Sequence, residues 1–276
     1  MLELDHLPDA ALLRWYLDAG VDETVGEQPV NRYREAAEPA APMPAAGPVV
    51  GHPAPPPIQR PSVPPTPVPA AAGPVASAVA LAAQAASLNE LREALAGFDA
   101  CPLSKTATKL VFGDGNPRAR IVLIGEAPGA EEDRQGVPFV GPSGRLLDRM
   151  LASIGLDRTK VFISNTLFWR PPGNRNPSTM EVATCMPFVE RMLELIDPEF
   201  LVALGGPAAS ALLGQKESVG RLRGRDFTYQ TAGLPRPVRA RAMYHPAYLL
   251  RSPAQKRLAW RDLLALKKAI EEPARP

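Results

Sequence analysis

Four short apolar runs stand out along the second half of the chain, at residues 121–125, 161–165, 200–205 and 242–245. Each is continuous rather than alternating, the pattern of a strand buried on both faces of a parallel sheet. Between and around them, helical patterning covers residues 88–96, 144–154, 179–196, 207–213 and 254–270. Strands that alternate with helices predict an α/β fold, a three-layer αβα domain around a central four-stranded parallel sheet. Upstream, residues 10–20 bring Leu12, Leu13, Trp15, Tyr16 and Leu17 together before Gly20, the signature of one amphipathic helix. Eleven residues are marginal alone in water, so this helix needs a partner surface, in its own chain or on another protein.

Composition separates these two regions. Residues 39–74 hold 14 of the 33 prolines and a single charged side chain, Arg60. Such a stretch buries no core and reads as an extended, partly polyproline tether. The expected organisation is an acidic arm over 1–38, a disordered Pro/Ala-rich linker over 39–80 and a single α/β domain over 81–276. Charge follows the same division: residues 1–85 carry four arginines and nine acidic residues, net −5, whereas residues 86–276 carry net +7. A basic domain suits a polyanionic partner such as nucleic acid, although many solvated surfaces are as basic. Two cysteines, Cys101 and Cys185, make no disulfide framework and point to a reducing compartment. With no secretory leader and no apolar run of membrane-spanning length, a soluble, cytoplasmic monomer is expected.

In open parallel sheets the working groups gather at the carboxyl ends of the strands. Those ends read Gly125-Glu126-Ala127-Pro128-Gly129, Ser164-Asn165, Gly205-Gly206 and Tyr244-His245-Pro246. A carboxylate, an amide and an imidazole are therefore expected on one rim. Singly, each has a plainer reading: a helix-capping acid, a loop-bracing amide, a core histidine. The glycines fit neither a dinucleotide fingerprint nor a P-loop.

The stretch from Gly125 through Asp133 and Gly136-Val137-Pro138-Phe139-Val140-Gly141 resembles the first motif of the family 4 (thermophile-type) uracil-DNA glycosylases. The resemblance continues through Asn165, the run Arg170-Pro171-Pro172-Gly173-Asn174-Arg175-Asn176-Pro177, and the second motif His245-Pro246-Ala247-Tyr248-Leu249-Leu250-Arg251. It covers about residues 98–268 and none of 1–85.

The resemblance implies a hydrolase that extrudes uracil from DNA and cuts its N-glycosidic bond in base excision repair. A departing uracil carries its own negative charge, so the paired carboxylates of sugar hydrolases are unnecessary. By resemblance, His245 donates to uracil O2, Asn165 pairs with O4 and N3–H, Phe139 stacks on the base, and Gly129 leaves room beside it. Glu126 is expected to direct the attacking water, and the backbone of Ala127 to hold the base. The family's water-directing Asp stands one position later, where this chain has Ala127, so Glu126 could instead cap the following helix. Leu249 is expected to wedge into the vacated stack, or to be ordinary core. Arg170, Asn174, Arg175, Arg251, Ser143 and Gly144 are candidates for gripping phosphates.

One departure concerns a cofactor. Family 4 enzymes hold a four-iron cluster on four cysteines, and only the positions of Cys101 and Cys185 are kept; Phe98 and Trp169 stand at the other two. Two thiolates do not fill a four-ligand site, so no iron–sulfur cluster and no other metal is expected. The aromatic pair is expected to pack the space instead. Relatives that trap DNA covalently carry an extra histidine loop after the first motif, absent from 136–141, and no lysine stands at the rim for a lyase step. A shifted base preference remains a third reading.

Overall fold

The computed structural model describes residues 73–272, and the structure below concerns those residues alone. The acidic arm with its expected helix at 10–20, and most of the linker, lie outside them. In chain order the elements are α1 (Pro74–Gln84), α2 (Leu88–Ala96), β1 (Asp114–Gly115), β2 (Ile121–Gly125), α3 (Ala130–Gln135), α4 (Pro142–Ala152) and β3 (Val161–Asn165). There follow α5 (Thr179–Ile196), β4 (Phe200–Leu204), α6 (Gly206–Leu213), α7 (Val219–Leu222), β5 (Phe227–Tyr229), β6 (Val238–Met243), α8 (Pro246–Arg251) and α9 (Lys256–Glu271). The linker was expected to run to residue 80, but α1 begins at Pro74. Its Ala78 and Ala82 are buried, because a proline at the first turn followed by an alanine-rich run favours helix once a surface is there to pack on.

The sheet has the order β1-β3-β2-β4-β6-β5. The four inner strands are parallel, and the two edges are short antiparallel additions, so the sheet is six-stranded around the expected parallel four. Alternation along β2 shows how the layers form. Val122 and Ile124 enter one core with Leu91, Phe188 and Val189 from α2 and α5. Ile121 and Leu123 enter the other with Leu147, Leu151 and Leu263 from α4 and α9. Both faces of the strand are thus dry, which is why its sequence is apolar throughout. No helix among the described residues is long and apolar enough to cross a membrane.

Strand ends fix the rim. Gly125 at the end of β2 pairs in register with Asn165 at the end of β3. The strand read at 242–245 is instead β6, Val238–Met243, and Tyr244 and His245 lie just beyond it. Likewise β4 stops at Leu204, leaving Gly205 as the turn into α6. All three polar side chains of the expected rim therefore sit at or just past a strand terminus.

Candidate active site

The rim encloses a cleft of about 410 Å³. Its lining includes Glu126 and Ala127 after β2, Asn174 and Arg175 of the loop after β3, and His245, Tyr248 and Arg251 at α8. His245 precedes α8 and caps it: Nδ1 accepts a hydrogen bond from the Ala247 amide at 3.1 Å. That acceptor role commits the proton of a neutral ring to Nε2. Burial, aided by the charge of Arg251, pushes the imidazole down to about 4, so it is neutral at physiological pH. Gly205 lies against it; a Cβ there would stand 3.2 Å from the Cβ of His245.

Asn165 and Phe139 do not line the open cleft but stand behind it. Asn165 is 1% exposed, and its Oδ1 has no hydrogen-bond partner, one of three such buried side-chain atoms among the described residues. An orphaned acceptor of this kind costs free energy unless something else satisfies it. Asn165 Oδ1 and the Phe139 ring, with Cζ at 2.6 Å, crowd the point where a Cβ would stand on Gly125. Glycine is required there so that both can approach the strand end. The Phe139 ring also lies 5.4 Å from the imidazole of His245, tilted by 32°. Amide, phenyl and imidazole therefore form one contiguous group.

Glu126 faces the cleft; its carbonyl accepts from Thr166 Oγ1 and the Leu167 amide, but its carboxylate has no hydrogen bond or ion pair among the described residues. Burial raises its pKa above the ordinary glutamate range. It does not cap the following helix. That task falls to Glu132, whose Oε2 accepts from the Gly129 amide at 3.1 Å while Oε1 accepts from Val140 and Gly141 at 3.0 and 2.9 Å. A Cβ on Gly129 would meet Glu132 Oε2 at 2.8 Å, so this glycine lines the cleft and also makes space for the carboxylate.

A family model for the uracil DNA glycosylase superfamily matches residues 112–264. The chain belongs to the uracil-DNA glycosylase superfamily. It is similar to proteins named type-4 uracil-DNA glycosylase, including that of Archaeoglobus fulgidus, 42% identical over 171 residues, 60% of this chain and 85% of the relative. That of Thermotoga maritima is 39% identical over 176 residues, covering 63% and 89%. That of Pyrobaculum aerophilum is 38% identical over 180 residues, covering 64% and 91%.

Within this superfamily domain, the expected phosphate grips divide. Arg251 and Asn174 line the cleft, while Arg170 Nε donates to Asn174 Oδ1 at 2.8 Å and braces the loop. Arg175 also lines it but is held as a fork by Glu181, at 2.9 and 2.6 Å, which depresses that carboxyl to about 2. Ser143 is half-buried outside the cleft. Gly144 is buried, and a Cβ on it would land on the Phe139 carbonyl, so close packing requires glycine there. One expectation needs correction. Leu249 is 1% exposed within the core beneath α4 and α9, because α8 turns its side chain inward. It is core rather than wedge; the exposed neighbour is Leu250.

The cofactor region lies apart, in the other core. Cys101 and Cys185 are both fully buried, and the hydrogen bond between them lowers the first thiol and raises the second. Phe98 sits edge-on to Phe188 at 5.1 Å, and Trp169 stands perpendicular to Phe168 at 6.4 Å. No three His, Cys, Asp or Glu side chains group as metal donors among the described residues. Two thiols beside two packed aromatic side chains do not fit a four-thiolate cluster. Glu132 and Arg158, which organise the first motif from behind, were not singled out by sequence; the acidic Glu131-Glu132-Asp133 run at a helix start was the available signal for the former.

Proposed function

We propose that this chain is a monofunctional uracil-DNA glycosylase acting in base excision repair on uracil-containing DNA. The observation that carries the reading is the neutral His245, whose Nδ1 is tied to the Ala247 amide, leaving Nε2–H as the donor beside the cleft. As the C1′–N1 bond breaks, negative charge flows into the uracil ring and its O2. A neutral Nε2–H aimed at that oxygen forms a hydrogen bond that strengthens as the charge grows, which lowers the barrier more than it aids ground-state binding.

Asn165 supplies recognition. Its orphaned Oδ1 is the acceptor that uracil N3–H would satisfy, and its amide NH₂ would donate to O4. Cytosine offers an acceptor at N3 and a donor at N4, so both contacts would oppose it. Phe139 is the stacking floor for the extruded base, and the Ala127 backbone bounds the pocket. Glu126, unpaired at the cleft, accepts a hydrogen bond from water and directs it to C1′; ionised, it also favours the positive charge that develops on the sugar. Arg251 and Asn174 contact the backbone phosphates, with Arg170 and Arg175 ordering the loop that carries them.

The region of Phe98 and Trp169 is read as metal-free, with ring packing in place of an iron–sulfur cluster. The fit of two aromatic side chains where two ligands would be needed supports this. Buried free thiols accord with a reducing compartment such as the cytoplasm; the protein is read as a monomer, with the arm at 1–38 as the segment that binds another protein. The experiment is incubation of pure protein with a uracil-containing oligonucleotide, followed by alkali and electrophoresis. Strand cleavage after alkali alone, with free uracil released over many turnovers, is expected. Cleavage without alkali would indicate a lyase step, and no release would remove the enzymatic reading.

A further inference from the structure

Arg158 lies in the loop before β3, outside every motif discussed so far, yet its guanidinium donates four hydrogen bonds behind the cleft. Nε donates to Asp148 at 2.9 Å, and Nη1 donates to Asp114 at 2.7 Å and to the Pro138 carbonyl at 3.0 Å. Nη2 donates to the carbonyl of Phe139. The two carboxylates come from α4 and β1, so the fork is already aimed when it reaches the first motif. A planar, multidentate donor suits this task, and a lysine could not reproduce it.

The residue it holds is unusual. Phe139 has φ of +55°, a left-handed conformation that a bulky side chain adopts only when its surroundings impose it. Two neighbours do so. Arg158 binds the carbonyl on one side, and Gly144 lets the first turn of α4 press against the same carbonyl. The result is a ring turned to Gly125, Asn165 and His245. We propose that Arg158 is a positioning residue for base recognition, fixing through the Phe139 carbonyl the ring on which an extruded pyrimidine stacks. This rests on the stacking role of Phe139 proposed above.

The test uses the full chain with Arg158→Met, Arg158→Lys, Phe139→Ala and the Phe139→Ala/Arg158→Met pair. Inhibition by free uracil reports the base pocket, and affinity for abasic-site DNA reports the rest of the binding surface. Arg158→Met should weaken uracil inhibition about ten-fold or more, the scale of one lost base–aromatic stack, while abasic-DNA affinity changes by less than about two-fold. Arg158→Lys should behave like Arg158→Met in the same assay, and keeps the charge should the methionine variant fail to fold. In the Phe139→Ala background, Arg158→Met should add little. A parallel loss of both affinities, or a full effect of Arg158→Met without the ring, would overturn the inference. If Phe139→Ala weakens uracil inhibition and the Arg158 variants do not, the inference alone falls. If Phe139→Ala leaves it unchanged, the stacking reading falls and takes the inference with it.

Discussion

The imidazole of His245 and the ring of Phe139 are in contact, centroids 5.4 Å apart, so the candidate oxyanion donor and the candidate stacking floor are a single packed unit. Removing the imidazole should therefore affect chemistry while the base can still be held. His245→Ala should lower the single-turnover rate by about 2–4 kcal/mol, roughly 10²–10³-fold. Affinity for uracil-containing DNA, measured by anisotropy, should change little; comparable losses in rate and affinity would assign His245 to binding instead.

The two titrating groups at the cleft separate by pH. Glu126 works ionised and burial raises its pKa, so activity should fall on the acid side as it protonates, at higher pH than an ordinary glutamate would. Glu126→Gln should lower the rate and abolish that limb, leaving only the loss as His245 charges near pH 4. An unchanged acid limb in Glu126→Gln would rule out its role in directing water.

His245 also links pH to stability. Its folded pKa of about 4 lies below the ordinary value of 6.5, so the neutral ring adds no pH-dependent term above pH 6.5. Between 6.5 and 4 the unfolded chain gains a proton that the folded one resists, and the folded state loses up to about 3 kcal/mol. His245→Asn should flatten this part of the stability–pH curve in urea titrations at pH 4.5 and 7.

Gly125 is a steric gate for recognition. Gly125→Ala would drive a methyl group into Asn165 Oδ1 and the Phe139 ring, and should cost about ten-fold or more in uracil inhibition. Asn165→Asp should leave the fold intact and erode the preference for uracil over cytosine, read by competition between oligonucleotides. Unaltered selectivity would dismiss the amide as the base-reading group.

The aromatic packing near Cys101 makes a compositional prediction. Purified protein should contain no stoichiometric iron and no broad visible absorbance. Trp169→Ala should destabilise it by about 3–5 kcal/mol, as expected for a buried aromatic side chain, in denaturant titrations.

Legibility in the sequence followed burial. The runs of β2 and β3 were readable to the residue because both faces are dry: β2 is apolar throughout, and in β3 the polar Ser164 and Asn165 come only at its end. β6 was misplaced because Arg239 and Arg241 break its apolar run: one guanidinium packs over the Phe200 ring and the other pairs with Asp226. β1 and β5 have two and three residues, too few for any period to show. At the site, the rim positions of Glu126, Asn165 and His245 were legible because each stands at or just past the end of an inner strand. Leu249 stayed open between wedge and core, since a motif gives a position and not the face of the helix that follows. Arg158 escaped because its partners lie between 10 and 44 residues away, and only tertiary structure brings them together.

Glu132 gathers the amides of Gly129, Val140 and Gly141 on one carboxylate, closing the segment between them into a hoop. A hoop can tilt as one piece but cannot unzip from either end. Release of a spent base should then draw on the loop of Gly173 and Asn174, where the backbone turns left-handed and the Arg170–Asn174 tie is solvent-facing.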